Sequence, residues 1–264
     1  SGEYQTAFAR DGQIIQSLGT SALFNSQFAG FAEKPGPNVY KSYMDGDWTA
    51  DTSLYAGSLE INAGIGDHTL TSITAYRKLK TLQLSDIDAS PANVFNNSDG
   101  GVDSHQFTQE LRLTSPGGQR LEYVLGLYYY QTENGGYATQ YGNYYGLFGV
   151  PVVVGGGRRD ATNKVRSLAA FGNVTFALTD AVKLIGGLRY TNDRNHGTLV
   201  VSPLPFPAFP LSTLPDYDGT VKADNVSGKV GVQFEPSRDF MPYATWSTGF
   251  KGPAIDGTAG IIRE

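Results

Sequence analysis

Cysteine is absent from the 264-residue chain, and with it any disulfide framework, thiolate nucleophile or Cys-based metal site. Its apolar runs all fall far short of the roughly 18 residues that a membrane-spanning helix needs, so a helical membrane protein is excluded. A membrane β-barrel is not excluded, because strands alternating apolar and polar residues dilute mean hydropathy. Charge is also scarce: Asp, Glu, Lys and Arg make up 17% of the chain, below the roughly 25% of soluble domains. The formal net charge of −5 and a pI near 5.2 argue against a nucleic-acid partner. Ser1-Gly2-Glu3-Tyr4 has neither the basic start nor the apolar stretch of a signal peptide, so the chain is expected to be mature or internal.

Glycine and aromatics are what the chain has in plenty, with 33 Gly, 16 Tyr and 14 Phe. Marking turns by length gives four hairpins. Residues 53–66 and 69–84 pair across a tight turn at Asp67-His68, and 102–115 pairs with 121–134 across 116–120. Residues 164–178 pair with 182–194 across 179–181, and 225–235 with 240–251 across 236–239. Long connections at 85–101, 135–163 and 195–224 separate the hairpins. The first 52 residues read as a strand end (4–10) and a long loop, with a short helix near 13–28. Residues 252–264 read as the start of an extracellular loop. Short turns alternating with long loops suit an outer-membrane barrel, with short periplasmic turns and long extracellular loops. Soluble sandwiches mix turn lengths at both ends.

Periodicity agrees. Val226, Gly228, Val230, Val232 and Phe234 share one face, opposite Ser227, Lys229, Gly231 and Gln233. Leu184, Gly186, Leu188 and Tyr190 oppose Ile185, Gly187, Arg189 and Thr191. A Lys or Arg facing lipid near midplane costs roughly 2–4 kcal/mol. The apolar rows are therefore expected to face lipid, and Glu110, Arg112, Arg189 and Lys229 the lumen. Arg77 and Lys78 fall on opposite faces, so one of them is expected beyond the hydrocarbon. Tyr76, Tyr123, Tyr190, Phe234, Phe240 and Trp246 fit interfacial girdles.

The strands also carry a likeness. Phe107–Ser115 (FTQELRLTS) with Leu121–Tyr129 (LEYVLGLYY), Ala170–Thr175 (AFGNVT) with Leu188–Thr191 (LRYT), and Val226–Val232 (VSGKVGV) with Tyr243–Gly252 (YATWSTGFKG) resemble successive hairpins of TonB-dependent receptors. The likeness covers about residues 55–255 and points to the iron-complex and siderophore-type branch. It implies eight to nine strands of a 22-stranded antiparallel barrel in the bacterial outer membrane. The expected function is uptake of a ferric siderophore or other iron complex, energised by TonB with ExbB and ExbD through a plug. Neither the plug nor a C-terminal aromatic strand is recognisable, so an internal barrel portion is expected. The surrounding lipid and lipopolysaccharide are the other expected partners.

No active site, cofactor or metal site is expected. His68, His105 and His196 are scattered, and Asp86, Asp88, Asp99 and Asp103 read as a solvated acidic rim rather than a calcium site. Gly155-Gly156-Gly157-Arg158-Arg159 lacks the spacing of a phosphate loop and reads as a loop tip. Tyr137, Tyr141, Tyr144, Tyr145 and Phe148, placed in one Gly-rich loop, are candidates for ligand contact, against loop-to-loop packing. Two other readings stay open: a passive porin or small structural or adhesive barrel, and a secreted soluble β-rich enzyme or lectin.

Overall fold

The computed structural model describes residues 2–10, 47–86, 97–142, 155–203, 215–237, 239–256 and 261–263. Nine strands form one antiparallel sheet in chain order, each pairing with its sequence neighbours. They are β1 (Gly2–Arg10), β2 (Thr49–Ile65), β3 (His68–Ser85), β4 (Asn97–Thr114), β5 (Leu121–Gly142), β6 (Gly155–Ala177), β7 (Val182–Pro203), β8 (Tyr217–Phe234) and β9 (Tyr243–Ser247). Two short strands, β10 (Ala254–Asp256) and β11 (Ile261–Arg263), pair with each other. The expected helix near 13–28 lies outside the described residues, as does Asp88.

Short connections gather at one end of the sheet. Gly66, at φ 57°, supplies the left-handed backbone of the two-residue β2–β3 turn, one residue earlier than the sequence pattern placed it. Gly118, at φ 74°, does the same in the β4–β5 turn. At the other end, residues 86–96, 143–154 and 204–216 connect the pairs.

The strands run much further than the apolar alternation suggested. β5 continues to Gly142 and β6 starts at Gly155, so most of the expected 135–163 loop is paired strand, including the glycine run expected at a loop tip. β7 reaches Pro203 and β8 begins at Tyr217, removing much of the expected 195–224 loop. β9 is shorter than expected, spanning only Tyr243–Ser247. At 23 residues β6 is roughly 75 Å long, whereas a tilted strand crosses hydrocarbon in about 9–11 residues. About half of it therefore stands beyond any membrane. There both faces meet water or protein, and the hydropathy signal used to find strands fades.

Directly paired residues share a face, so the register sorts the side chains. Leu113, Leu125, Gly172, Leu188 and Gly228 form one row across β4–β8. Leu111, Leu127, Ala170, Tyr190 and Val226 form the next. Among the exposed large hydrophobics of the described sheet, all but Val102 and Tyr243 lie on this face. Leu188 is 62% exposed and Val226 61%. Among the described residues the buried apolar ones are few (Ala169, Leu199, Ile255), so the described sheet does not enclose a dry core of its own.

Candidate functional site

The opposite, polar face carries the charged side chains singled out from the sequence. Glu110 and Arg112, two residues apart on β4, form an ion pair on it. Arg112 stands opposite Gly126, Gly126 opposite Phe171, Phe171 opposite Arg189, and Arg189 opposite Ser227. Gly126 is required here: a Cβ would come within 2.2 Å of the Phe171 ring. Arg189 lies 5.6 Å from the Tyr128 ring centroid and 5.8 Å from that of Phe171, and its Nε donates to Thr191 Oγ1 at 3.1 Å. These distances suit cation–π attraction. Lys229 stands opposite Gly187 and Ser247 on the same face. Its side chain has no ion pair or hydrogen bond among the described residues.

Further along the strands, away from the short turns, the polar face of β4–β8 holds a cavity of about 200 Å³. Val102, Ala161, Leu199, Tyr217 and Ile255 supply apolar walls, and Asn134 and Asn163 polar edges. Gly197 stands directly opposite Gly219, and Gly136 stands opposite Ala161 in the next row, so none of the three raises a side chain from the sheet there. Tyr217 lies over Gly219, where an added Cβ would meet its hydroxyl at 2.2 Å. Ile255 lies over Gly197, where a Cβ would meet its Cγ2 at 2.9 Å.

Ile255 arrives there because the chain leaves the sheet after β9 and crosses back over β7. Asn195 Nδ2 donates to Pro253 O at 3.3 Å, and Gly252 sits against Asp193 Oδ2. Leu199 is only 1% exposed beneath this segment. Four buried polar atoms near it have no hydrogen-bond partner among the described residues: Asn163 Oδ1, Asp193 Oδ1, Asn195 Oδ1 and Tyr217 OH. The sequence pattern missed all four, having placed Asn163 and Asn195 at loop ends and Tyr217 inside a loop. The usable signal was the alternation Asn195, Gly197, Leu199, opposite in phase to Leu184, Leu188 and Tyr190.

The tyrosines expected in a loop divide. Tyr137 and Tyr141 belong to strand β5, on the same side of the sheet as Leu125 and Leu127. Arg158 stacks 4.3 Å from the Tyr137 ring centroid, and Nε and Nη2 of that arginine bind both oxygens of Asp160 at 2.8 and 2.7 Å. The Arg158 guanidinium holds the Asp160 carboxyl below its ordinary range. Tyr144, Tyr145 and Phe148 lie outside the described residues. Lys78 falls in a charged row with His105, Glu133, Lys164 and His196, and pairs with Asp103 at 3.7 Å. Arg77 faces the other way, opposite Gln106. Among the described residues no three His, Cys, Asp or Glu side chains cluster as metal ligands.

With this geometry in view, comparison with known proteins identifies the architecture. The family profile described as "TonB dependent receptor-like, beta-barrel" matches residues 4–261. Among solved structures, the fold is similar to the ferric yersiniabactin uptake receptor FyuA from Yersinia pestis, at a TM-score of 0.64 and 20% identity. That match covers 82% of this chain and 32% of FyuA, so the chain spans about a third of that receptor's length. No curated protein sequence matches significantly. A meander of long antiparallel strands with one exposed apolar face, matched by the family profile over nearly its whole length, makes the chain a member of the TonB-dependent receptor β-barrel family.

Proposed function

We propose that the chain is part of the barrel wall of a bacterial outer-membrane receptor that imports a ferric siderophore or another iron complex. The observation that carries this reading is the one-sided sheet. Across eight consecutive strands the large apolar side chains are exposed on one face, and the other face is polar. Water on both sides would leave an apolar patch far beyond the few hundred Å² that soluble monomers tolerate. Lipid on the apolar side removes that cost, and a water-filled or plugged lumen takes Glu110, Arg112, Arg189 and Lys229. Their role there is to pair with one another and with whatever fills the lumen.

Iron complexes are supported by the family and by the similar receptor from Yersinia pestis, which takes up ferric yersiniabactin. TonB, with ExbB and ExbD, is proposed to act through parts of the receptor other than this wall. Ligand contact at Tyr144, Tyr145 and Phe148, in the connection between β5 and β6, belongs to the same reading. The outer leaflet, with its lipopolysaccharide, is proposed as the partner of the exposed cations Arg166, Arg194 and Lys222, which stand directly opposite one another on β6, β7 and β8.

Uptake of radiolabelled iron by cells carrying or lacking the complete receptor tests the function. Uptake that depends on both the receptor and TonB is expected. Uptake unaffected by loss of either, or equal for any small solute as through a passive pore, refutes it.

A further inference from the structure

We infer that His105 and His196 make the outward cations Arg166, Arg194 and Lys222 part of an acid-strengthened anion surface, which keeps its hold on outer-leaflet phosphate as the medium acidifies. The inference rests on the proposed contact between those cations and lipopolysaccharide, and adds its regulation. Two of the chain's three histidines stand in one row across the sheet: Lys78, His105, Glu133, Lys164, His196 and Thr220. Arg166, Arg194 and Lys222 form the adjoining row on the same face, two residues back along each strand. The two rows are about 7 Å apart. The third histidine, His68, starts β3 at the opposite end of the sheet.

The charges around the two rings decide what a proton does there. His105 faces Lys78 and Glu133 directly, with Tyr76, Lys80 and Asp103 next to them. His196 faces Lys164 and Thr220, with Arg166, Arg194, Asp218 and Lys222 next to them. Across the histidine row and the next one outward, Lys78, Lys80 and Lys164 meet Asp103, Glu133 and Asp218. That belt is balanced while both histidines are neutral. Carboxylates and amines ordinarily keep their charge from about pH 7.5 to 5.5, whereas an imidazole ordinarily gains its proton there. Acidification therefore tips the belt positive.

Glu133 does not cancel the new charge, because its Oε1 already holds Lys164 Nζ at 2.7 Å while its Oε2 lies 3.7 Å from His105 Nε2. Asp218, 3.8 Å from His196 Nδ1, is 78% exposed and screened by water. Thr220 Oγ1, at 3.0 Å, fixes the His196 ring through Nδ1. A protonated ring donates from both nitrogens, so Nε2 is left for an anion. Phosphate monoesters shed charge over the same range, with a second pKa of about 6. Arginine and lysine gain nothing to offset that loss, and the histidines do.

The test titrates the complete receptor, in neutral detergent at low salt, with inositol hexasulfate, whose sulfate esters stay fully charged. Binding about tenfold tighter at pH 5.5 than at pH 7.5 is expected, and the difference should shrink at high salt. His105→Gln combined with His196→Gln removes both charges and is expected to bind equally at the two pH values. His68→Gln is expected to keep the full dependence. With lipopolysaccharide vesicles as the probe, the wild type should hold its affinity on acidification and the double variant should lose about tenfold. Three results overturn the inference: hexasulfate binding without pH dependence, a dependence that survives in the double variant, or a double variant that holds lipopolysaccharide at pH 5.5 as well as the wild type. If such binding still needs Arg166, Arg194 and Lys222, the outer-leaflet contact stands without its regulation. No binding of either probe at either pH sinks both.

Discussion

Tyr190 on β7 donates its phenolic hydrogen to Asp224 Oδ1 on β8 over 2.7 Å, and Asn192 Nδ2 donates to the same oxygen at 2.7 Å. This contact marks where the apolar face ends. On one side of it lie Leu188, Val226 and Val230; on the other, along the same strands, lie Arg194 and Lys222. A tyrosine with its ring among apolar neighbours and its hydroxyl among polar ones is what a membrane–water boundary favours.

That boundary makes the two faces distinguishable by mutation. Val230 lies well inside the apolar face, so Val230→Arg is expected to destabilise the receptor in lipid by about 2–4 kcal/mol. Ser227→Arg, three residues away on the polar face beside Arg189, is expected to cost far less. Urea unfolding in phospholipid vesicles measures both. Equal costs, or a larger one at Ser227, mean that the faces have been assigned the wrong way round.

How far the sequence revealed the fold depended on where each residue sits along its strand. The membrane-crossing half of β8 was legible because Val226, Val230, Val232 and Phe234 alternate with polar neighbours. Its other half was not, because there the phase reverses. Val221 and Ala223 lie on the polar face while Lys222 and Asp224 lie on the apolar side. β7 does the same, with Leu188 outward and Leu199 inward under Ile255. Beyond the lipid, an outward side chain meets water and an inward one meets protein, so hydropathy inverts and a single period-two pattern breaks. Glu110, Arg112, Arg189 and Lys229 were findable because a charge in the apolar half admits only one face. Asn163 and Tyr217 were not, since their place is set by pairing and by a segment returning over β7, neither of which has a local signature.

Gly126 and Phe171 provide a packing test on the polar face. Gly126→Ala places a methyl where the ring lies, and the ring must swing towards Arg189 and Tyr128. Overpacking of this kind costs about 1–3 kcal/mol. The same substitution in a Phe171→Leu background is expected to cost much less, because the two sites share the space. A double-mutant cycle on unfolding midpoints measures the coupling, and additive effects would show that the ring does not depend on the glycine.

Arg158 and Asp160 stand on the part of β6 beyond the membrane and set a pH dependence. Asp160 ionises below its ordinary range because Arg158 binds it with two hydrogen bonds. A carboxyl whose folded-state value is lowered adds stability above its unfolded value, near 3.9, and that contribution fades as pH falls through the folded-state value. Hydrogen exchange along residues 155–163 is therefore expected to be flat from pH 7 to about 5, after correction for intrinsic rates, and to lose protection only below about 4. Arg158→Gln should remove this loss, leaving protection lower at neutral pH and nearly flat through the acid range, because nothing then holds Asp160 below its ordinary value. Protection that instead falls between pH 7 and 6 would assign the transition to histidine, not to this pair.

Arg166, Arg194 and Lys222 lead to a prediction whose sign depends on the surroundings. Three cations directly opposite one another repel, at about 0.2–1 kcal/mol per adjacent pair. Neither an ion pair nor a hydrogen bond relieves them among the described residues, unlike Lys164, which meets Glu133 at 2.7 Å. In neutral detergent, replacing all three by Gln is therefore expected to raise the melting temperature slightly. In lipopolysaccharide the order should reverse, because phosphates between the cations turn repulsion into attraction that the glutamines cannot match. The reversal should shrink as salt rises, the row being exposed and screened. Melting curves of wild type and triple variant, in detergent with and without lipopolysaccharide, decide the point. Parallel shifts in both media would mean that the row only repels, and that the outer leaflet is held elsewhere on the barrel.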